Sequence, residues 1–499
     1  MAISIVALSG ADAGALSSAE VEGWALSGPP VPSDLELLDQ LRDAVELRQR
    51  RELTRVLDAR EPGELAEDAR LTQYALDAGL VGLDTLFVFG DDLFELPFRP
   101  ELGLGNGLGG VAPSLRRVHE GERGGPDAVS CSSCHTLGGL DGAGANTQNA
   151  FLRGDGDSTL TADVRNPPHL LGLGPIEALA QEMTRALQDM RSEAIAEAIA
   201  SGAAIERPLE THGVEFGVLR VTAAGVVDAS GVEGVDADLV VRPFGCKGHQ
   251  ATIRAMAAES FRIHLGIVSA ADQARVALGE LDPAVYGEGG EFDVDADGVS
   301  VEIEDGMLTT MVGYLAQLEI PVTEPPADPV ALERFAQGSL LFEEVGCASC
   351  HRPMLELRDP IIETRPDHPD FADRPPIAIN VAIDGEHPKI EPRTILRPVY
   401  EVPLFSDLRR HDMGPDLATP GNQAGIRPSV FLTRPLWGLA ETAPVVQVGR
   451  APTIDDAIRM HGGEAGNARD AYVALGADEQ ASLRIFLTSL TRTRRVVIP

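Results

Sequence analysis

Two pentapeptides constrain this chain more than any other feature: Cys131-Ser-Ser-Cys134-His135 and Cys347-Ala-Ser-Cys350-His351. In a Cys-x-x-Cys-His segment the two thiols can reach the two vinyl carbons of one haem, and the imidazole sits beneath the iron as its proximal ligand. At the frequencies of Cys and His in this chain, one such segment arises by chance with a probability on the order of 0.001, so a coincidental pair is negligible. A tetrahedral zinc site would need two more Cys or His near each pair, and no second Cys pair lies nearby. A redox dithiol gives no reason for the following His, twice over. The pattern implies two covalently attached haems, with His135 and His351 as proximal ligands. Of the five cysteines only Cys246 is left over, so no disulfide framework is needed.

At 499 residues with 43% hydrophobic content, the chain is long enough for two to four domains with apolar cores. Its 77 acidic and 41 basic residues leave a net charge of -36, and Lys247 and Lys389 are the only lysines. Such a field repels nucleic acid and anionic membranes. It either attracts a cationic partner or serves solubility alone. No apolar run reaches the 18 residues that a membrane-spanning helix needs. The start, Met1-Ala-Ile-Ser-Ile-Val-Ala-Leu, has a short apolar stretch without a basic flank, and reads as a degraded signal segment or as lying downstream of the true start.

Helical spacing predicts helices over 35–56 and 62–73, with Ser33 and Asp34 as caps, and a long Ala-rich helix over 176–201. Short runs of β-branched residues over 214–241 predict a small β insertion. Helix returns over 250–267 and 306–318, ending in the Pro-rich stretch 320–329, the strongest domain boundary. A helix over 330–345 then runs directly into the second pentapeptide, and an apolar-faced helix over 478–490 closes the chain. Asp293-Val-Asp295-Ala-Asp297-Gly298, followed after five residues by Glu304, matches the D-x-D-x-D-G-x5-E pattern whose oxygen ligands suit Ca²⁺; an acidic turn between strands is the alternative.

With these motifs in place, the chain resembles the di-haem oxidoreductase family of peroxidase-like proteins, also labelled thiol-oxidoreductase-like. They are distant relatives of bacterial di-haem cytochrome c peroxidases. The resemblance covers roughly 90–490. It rests on 124–135 around the first pentapeptide and on four further blocks: Val241-Arg-Pro-Phe-Gly-Cys-Lys-Gly248, Ser406-Asp-Leu-Arg-Arg-His411-Asp-Met413-Gly, Thr433-Arg-Pro-Leu-Trp437-Gly-Leu and Ala457-Ile-Arg-Met-His461-Gly-Gly-Glu464-Ala. In the related peroxidases the sixth ligand of the C-terminal haem lies fourteen residues after a His. Counting from the matching position, Gln447, leads to His461. The resemblance therefore implies His461 as distal ligand of the second haem, with Met413 in reserve, and a His/His iron at lower potential than a His/Met iron. For the first haem, His264 is the leading distal candidate, with His169, His249 or an open position as alternatives. The resemblance also implies export to the periplasm, because haem of this kind is attached outside the bacterial cytoplasm. Cys246 and Gln447 depart from the family pattern, which leaves a non-catalytic electron carrier as an alternative.

The fold expected from this reading is mainly α. Two cytochrome c-like haem domains span 76–325, with a β insertion near 214–243, and 326–499, behind an N-terminal helical extension over 1–75. The expected activity is that of a periplasmic haem oxidoreductase, a peroxidase-like enzyme. Electrons from a small, cationic donor protein would enter one haem and pass to a second that reduces peroxide or a similar acceptor. A haem-based sensor or binding subunit is a further alternative. Glu182 and Glu193 are candidates for moving a proton, on no better ground than solvent-facing acids.

Overall fold

The computed structural model describes residues 71–98, 128, 130–144, 166–265, 267–279, 301–366, 371, 373–393, 398–419, 421–442, 445–446 and 449–492. The expected helices over 35–56 and 62–73 lie outside these residues, apart from the last few positions, as do Asp293, Asp295 and Asp297.

The first half opens with α1 (Gln73–Asp77) and α2 (Leu83–Glu95), followed by α3 (Leu173–Ser201). A three-stranded antiparallel sheet comes next: β1 (Ile205–Thr211), β2 (Val214–Val221) and β3 (Val227–Asp228). Then follow α4 (Ile253–Ser260), which runs on into a π turn over Phe261–Leu265, α5 (Ala270–Ala277) and α6 (Asp305–Gln317). The length of α3 follows from its Ala-rich sequence, and Gly202 stops it in a left-handed conformation, with its N–H donating to the Ala198 carbonyl. Helix α2 lies directly against α6 because position 90 is glycine. A Cβ there would collide with Tyr314 Cβ and stand 2.8 Å from the Thr310 carbonyl oxygen.

Past β4 (Val322–Thr323), α7 (Pro329–Glu344) starts at an Asp328 cap with Pro at its first position. The region between α7 and the C-terminal helices is built from short strands: β5 (Leu355–Leu357), β6 (Ile361–Thr364), β7 (Ile377–Asn380), β8 (Glu391–Pro392), β9 (Tyr400–Val402), β10 (Arg410–Asp412) and β11 (Val430–Leu432). Helices α8 (Ile454–Met460), α9 (Gly466–Ala474) and α10 (Ala477–Leu487) follow, and β12 (Leu490–Thr491) returns to pair with β4.

The expected mainly-α, cytochrome c-like fold is corrected here. Among the described residues helix accounts for 41% and strand for 16%, in several small sheets. The reason is local: strands of two to four residues bury at most two side chains each, and so carry no period for a sequence to display. The insertion also starts earlier than 214, since β1 opens at Ile205, and Leu239 to Val241 is not a strand. The larger apolar core joins residues from both sides of the Pro-rich stretch, among them Leu179, Phe216, Met311, Ile379, Leu404 and Trp437. A second core gathers Phe342, Phe405, Tyr472, Leu483 and Phe486 where α7 packs on α10.

Candidate functional site

Each pentapeptide is a tight turn presented by a different support. At the first, Cys134 N–H donates to the Cys131 carbonyl at 3.1 Å, and Ser133 Oγ donates to the Ser130 carbonyl at 2.6 Å. At the second, α7 and its cap Val345 are followed by Gly346, whose φ of 90° is left-handed, and His351 N–H donates back to the Cys347 carbonyl at 3.0 Å. The two imidazoles are oriented in the same way. His135 Nδ1 lies 3.1 Å from the Gly142 carbonyl, and His351 Nδ1 lies 3.1 Å from the Phe405 carbonyl. Each Nδ1–H is thereby held by backbone, and Nε2 carries the lone pair. Burial pushes both rings down to about 4, so both are neutral at pH 7.

Both pentapeptides open into one cavity of about 770 Å³. Its walls include Phe94, Ile263, Met311, Leu436, Trp437 and Ile458, so it is largely apolar, as cofactor sites are. Across it, the His461 ring stands opposite His351 with the ring centroids 6.4 Å apart. His461 Nδ1–H donates to the Ala457 carbonyl at 2.8 Å, which leaves Nε2 as its unprotonated atom, and burial lowers its pKa. A metal bound by two imidazoles at about 2 Å each, with about 1 Å more from nitrogen to ring centre on either side, separates the centroids by about 6 Å. The gap, the two tautomers and the apolar walls fit a haem.

Residues 380–490 match the family model described as "Di-haem oxidoreductase, putative peroxidase". Over that stretch, about a fifth of the chain, the sequence is similar at a distant level to the di-haem oxidoreductases. No curated protein matches it. The matched stretch contains Phe405, His411, Met413, Trp437, His461 and Glu464, and leaves both pentapeptides outside.

The other candidate ligands separate by where they lie and by what their side chains already do. Met413 lines the cavity beside His461, its carbonyl 2.8 Å from where a Cβ on Gly462 would sit. His264 lines the cavity from the π turn, close enough to His135 for the two charges to oppose each other. His169 Nε2 is 2.8 Å from the Trp437 carbonyl, and His249 Nε2 is 2.8 Å from Glu259 Oε2. His411 is held at both nitrogens, by Glu464 at 2.7 Å and by Asp407 at 2.8 Å, and so presents no lone pair to the cavity. Burial opposes its charge, but Asp407 and the neighbouring Cys350 outweigh it and push the ring up to about 11.

Glu182 and Glu193 are not in the cavity wall. Burial would raise Glu182, but hydrogen bonds from His212 and from the backbone of Arg358 and Asp359 bring it down to about 2, and Glu193 is exposed. Glu304 is an exposed residue at the start of α6. Sequence reasoning missed Glu259, Asp407 and Glu464 as partners of ring nitrogens. The only available signal was the presence of Asp407 and Glu464 within blocks already marked by His411 and His461.

Proposed function

We propose that this chain is an exported c-type di-haem oxidoreductase acting as a peroxidase. Haem would be joined at Cys131 and Cys134 and at Cys347 and Cys350, with His135 and His351 as proximal ligands and His461 as the second ligand of the second iron. The observation that carries the reading is the shared cavity: two Cys-x-x-Cys-His turns, far apart in sequence, face one apolar space with His461 set opposite His351.

When bound, haem supplies an iron that takes up and releases single electrons and, where a coordination position opens, accepts a small oxidant. The chain's own residues would do the rest. Gly142 and Phe405 fix the proximal rings through their Nδ1–H bonds, which raises the basicity of Nε2. The apolar walls exclude water. Reduction of a peroxide to two waters consumes two electrons and two protons. Glu259 and His249, which line the cavity on and just before the helix that carries His264, are the groups placed to hand on a proton between Glu259 Oε2 and His249 Nε2. The net charge of -36 favours a small cationic protein as electron donor, with docking that weakens as salt is added.

The test is low-temperature electron paramagnetic resonance of the purified holoprotein, fully ferric and then reduced by one electron, with and without peroxide. An iron that becomes high-spin or five-coordinate and reacts with peroxide is the expected result. Two low-spin irons indifferent to peroxide would refute the peroxidase reading and leave electron transfer alone.

A further inference from the structure

The loop after the first pentapeptide is short and heavily restrained. Leu137 and Ala143 pair across it, with Ala143 N–H donating to the Leu137 carbonyl at 3.0 Å. At its tip, buried Asp141 adopts a left-handed φ of 58°. Tyr314 Oη–H donates to Asp141 Oδ1 at 2.7 Å, and Leu170 N–H donates to the Asp141 carbonyl at 2.9 Å. The next residue, Gly142, is the one whose carbonyl accepts from His135 Nδ1.

A further restraint comes from the other end of the chain. Arg492 follows β12, and its buried guanidinium reaches into the loop. Nη1 donates to the Gly138 carbonyl at 2.9 Å and to the Leu140 carbonyl at 2.8 Å, while Nη2 lies 3.4 Å from Glu319 Oε1. Glu441 secures this end: one carboxylate oxygen accepts from Thr491 Oγ, and the other from Arg492 N–H at 3.4 Å. A guanidinium forked onto two carbonyls of one loop fixes its shape as a single flexible cation would not. Neutral carbonyls also leave the positive charge to Glu319, which is itself buried.

We propose that Arg492 is a positioning residue for His135. It clamps the 137–143 loop so that the Gly142 carbonyl stays aimed at Nδ1, and the C-terminal strand thereby sets the electronic state of the first haem. The inference rests on reading His135 as a haem ligand, and it adds a residue that acts on that ligand only through the loop.

The experiment compares holoprotein of the wild type, Arg492→Lys, Arg492→Gln and Glu441→Gln. Two readouts are taken: amide hydrogen exchange over 137–143, and separate redox titration of the two haems, the second being identified by its response to His461→Met. Arg492→Gln should speed loop exchange by about tenfold and shift the first haem's reduction equilibrium by about threefold or more, the scale of one weakened hydrogen bond. The second haem should stay put, and Arg492→Lys should recover part of both changes. Unchanged loop exchange, or equal shifts of the two haems, would overturn the proposal. Should Arg492→Gln not fold, Glu441→Gln must move loop exchange in the same direction, and a wild-type rate there is equally fatal. Haem content of the wild type separates the two layers: a haem-free protein would sink the cofactor reading, and the exchange rates would then decide the clamp alone.

Discussion

Gly338→Ala sets two opposite effects against each other on α7, the helix that delivers the second pentapeptide. In an unpacked helix the change stabilises, because Ala is better than Gly by about 1 kcal/mol. Here α7 lies on α10 at that position. A Cβ on residue 338 would fall inside contact distance of the Ser482 carbonyl oxygen and stand 2.8 Å from Phe486 Cβ. Carbon atoms pack at about 3.5–4.0 Å, so the helices must separate by roughly 1 Å. Forcing extra volume into a packed interface costs about 1–3 kcal/mol. The same movement stretches the 2.9 Å bond from Ser482 Oγ to Gln337 Oε1, for about 1 kcal/mol more. The cost outweighs the propensity gain, and a net loss of about 2 kcal/mol is expected, with an unfolding midpoint about 2–4 °C lower by circular dichroism. A variant that melts at or above the wild type would show that the α7–α10 contact does not control this position, and the reasoning would fail.

His461→Ala should remove the low-spin signature of one iron, and His461→Met should restore it at a higher potential. Paramagnetic resonance spectra unchanged by His461→Ala would exclude His461 as a ligand. For His411, the folded pKa of about 11 exceeds the unfolded value of about 6.5. Its stabilisation is therefore full below about pH 6.5 and is lost as pH rises through about 11, so in haem-free protein, where Cys350 is a free thiol, the gap between wild type and His411→Gln in urea midpoint should narrow from about pH 6 to about pH 10. A gap that does not vary with pH would argue against a charged His411. Tyr314→Phe removes a donor from the buried Asp141 carboxylate and should cost about 1.5–3 kcal/mol in the same denaturation assay, and a neutral effect would show that the bond contributes nothing.

What could be read in the sequence was what repeats at helical spacing or at fixed local spacing. Helices α3, α6, α7 and α10 are long enough to show an apolar period, and all four lie within a few residues of where the sequence predicts them. The pentapeptides declare themselves by chemistry within five residues. Strands β5 to β11 do not, because their two to four residues pair with partners up to dozens of positions away, and pairing of that kind leaves no local trace. The same limit hid the site's supporting groups. His411 looked like any polar histidine until the fold brought Glu464 to it, and Arg492 lay beyond the last predicted helix with its acceptors at Gly138 and Leu140.

The bracing of the first site by the C-terminal strand has a counterpart at the second. Phe405, whose carbonyl orients His351, has a left-handed φ of 55°, and Leu408 a φ of 57°. Neither residue type adopts that region without surrounding restraint. Some restraint is local: Ser406 Oγ donates to the Thr433 carbonyl at 2.6 Å, and Leu408 N–H donates to Ser406 Oγ at 3.0 Å. More comes from the segment that follows the β insertion of the first half. There the Gly234 carbonyl accepts from Arg410 N–H at 3.0 Å, Asp236 pairs with Arg410 at 2.6 Å, and Glu233 pairs with Arg409 at 3.3 Å. The rings of His135 and His351 are thus each aimed by a loop that the opposite half of the chain holds in place. Two sites that share one cavity must keep a fixed separation if electrons are to pass between them, and a Pro-rich connection alone cannot impose it. Crossed bracing can, since any displacement of one half strains the loop behind the other half's histidine.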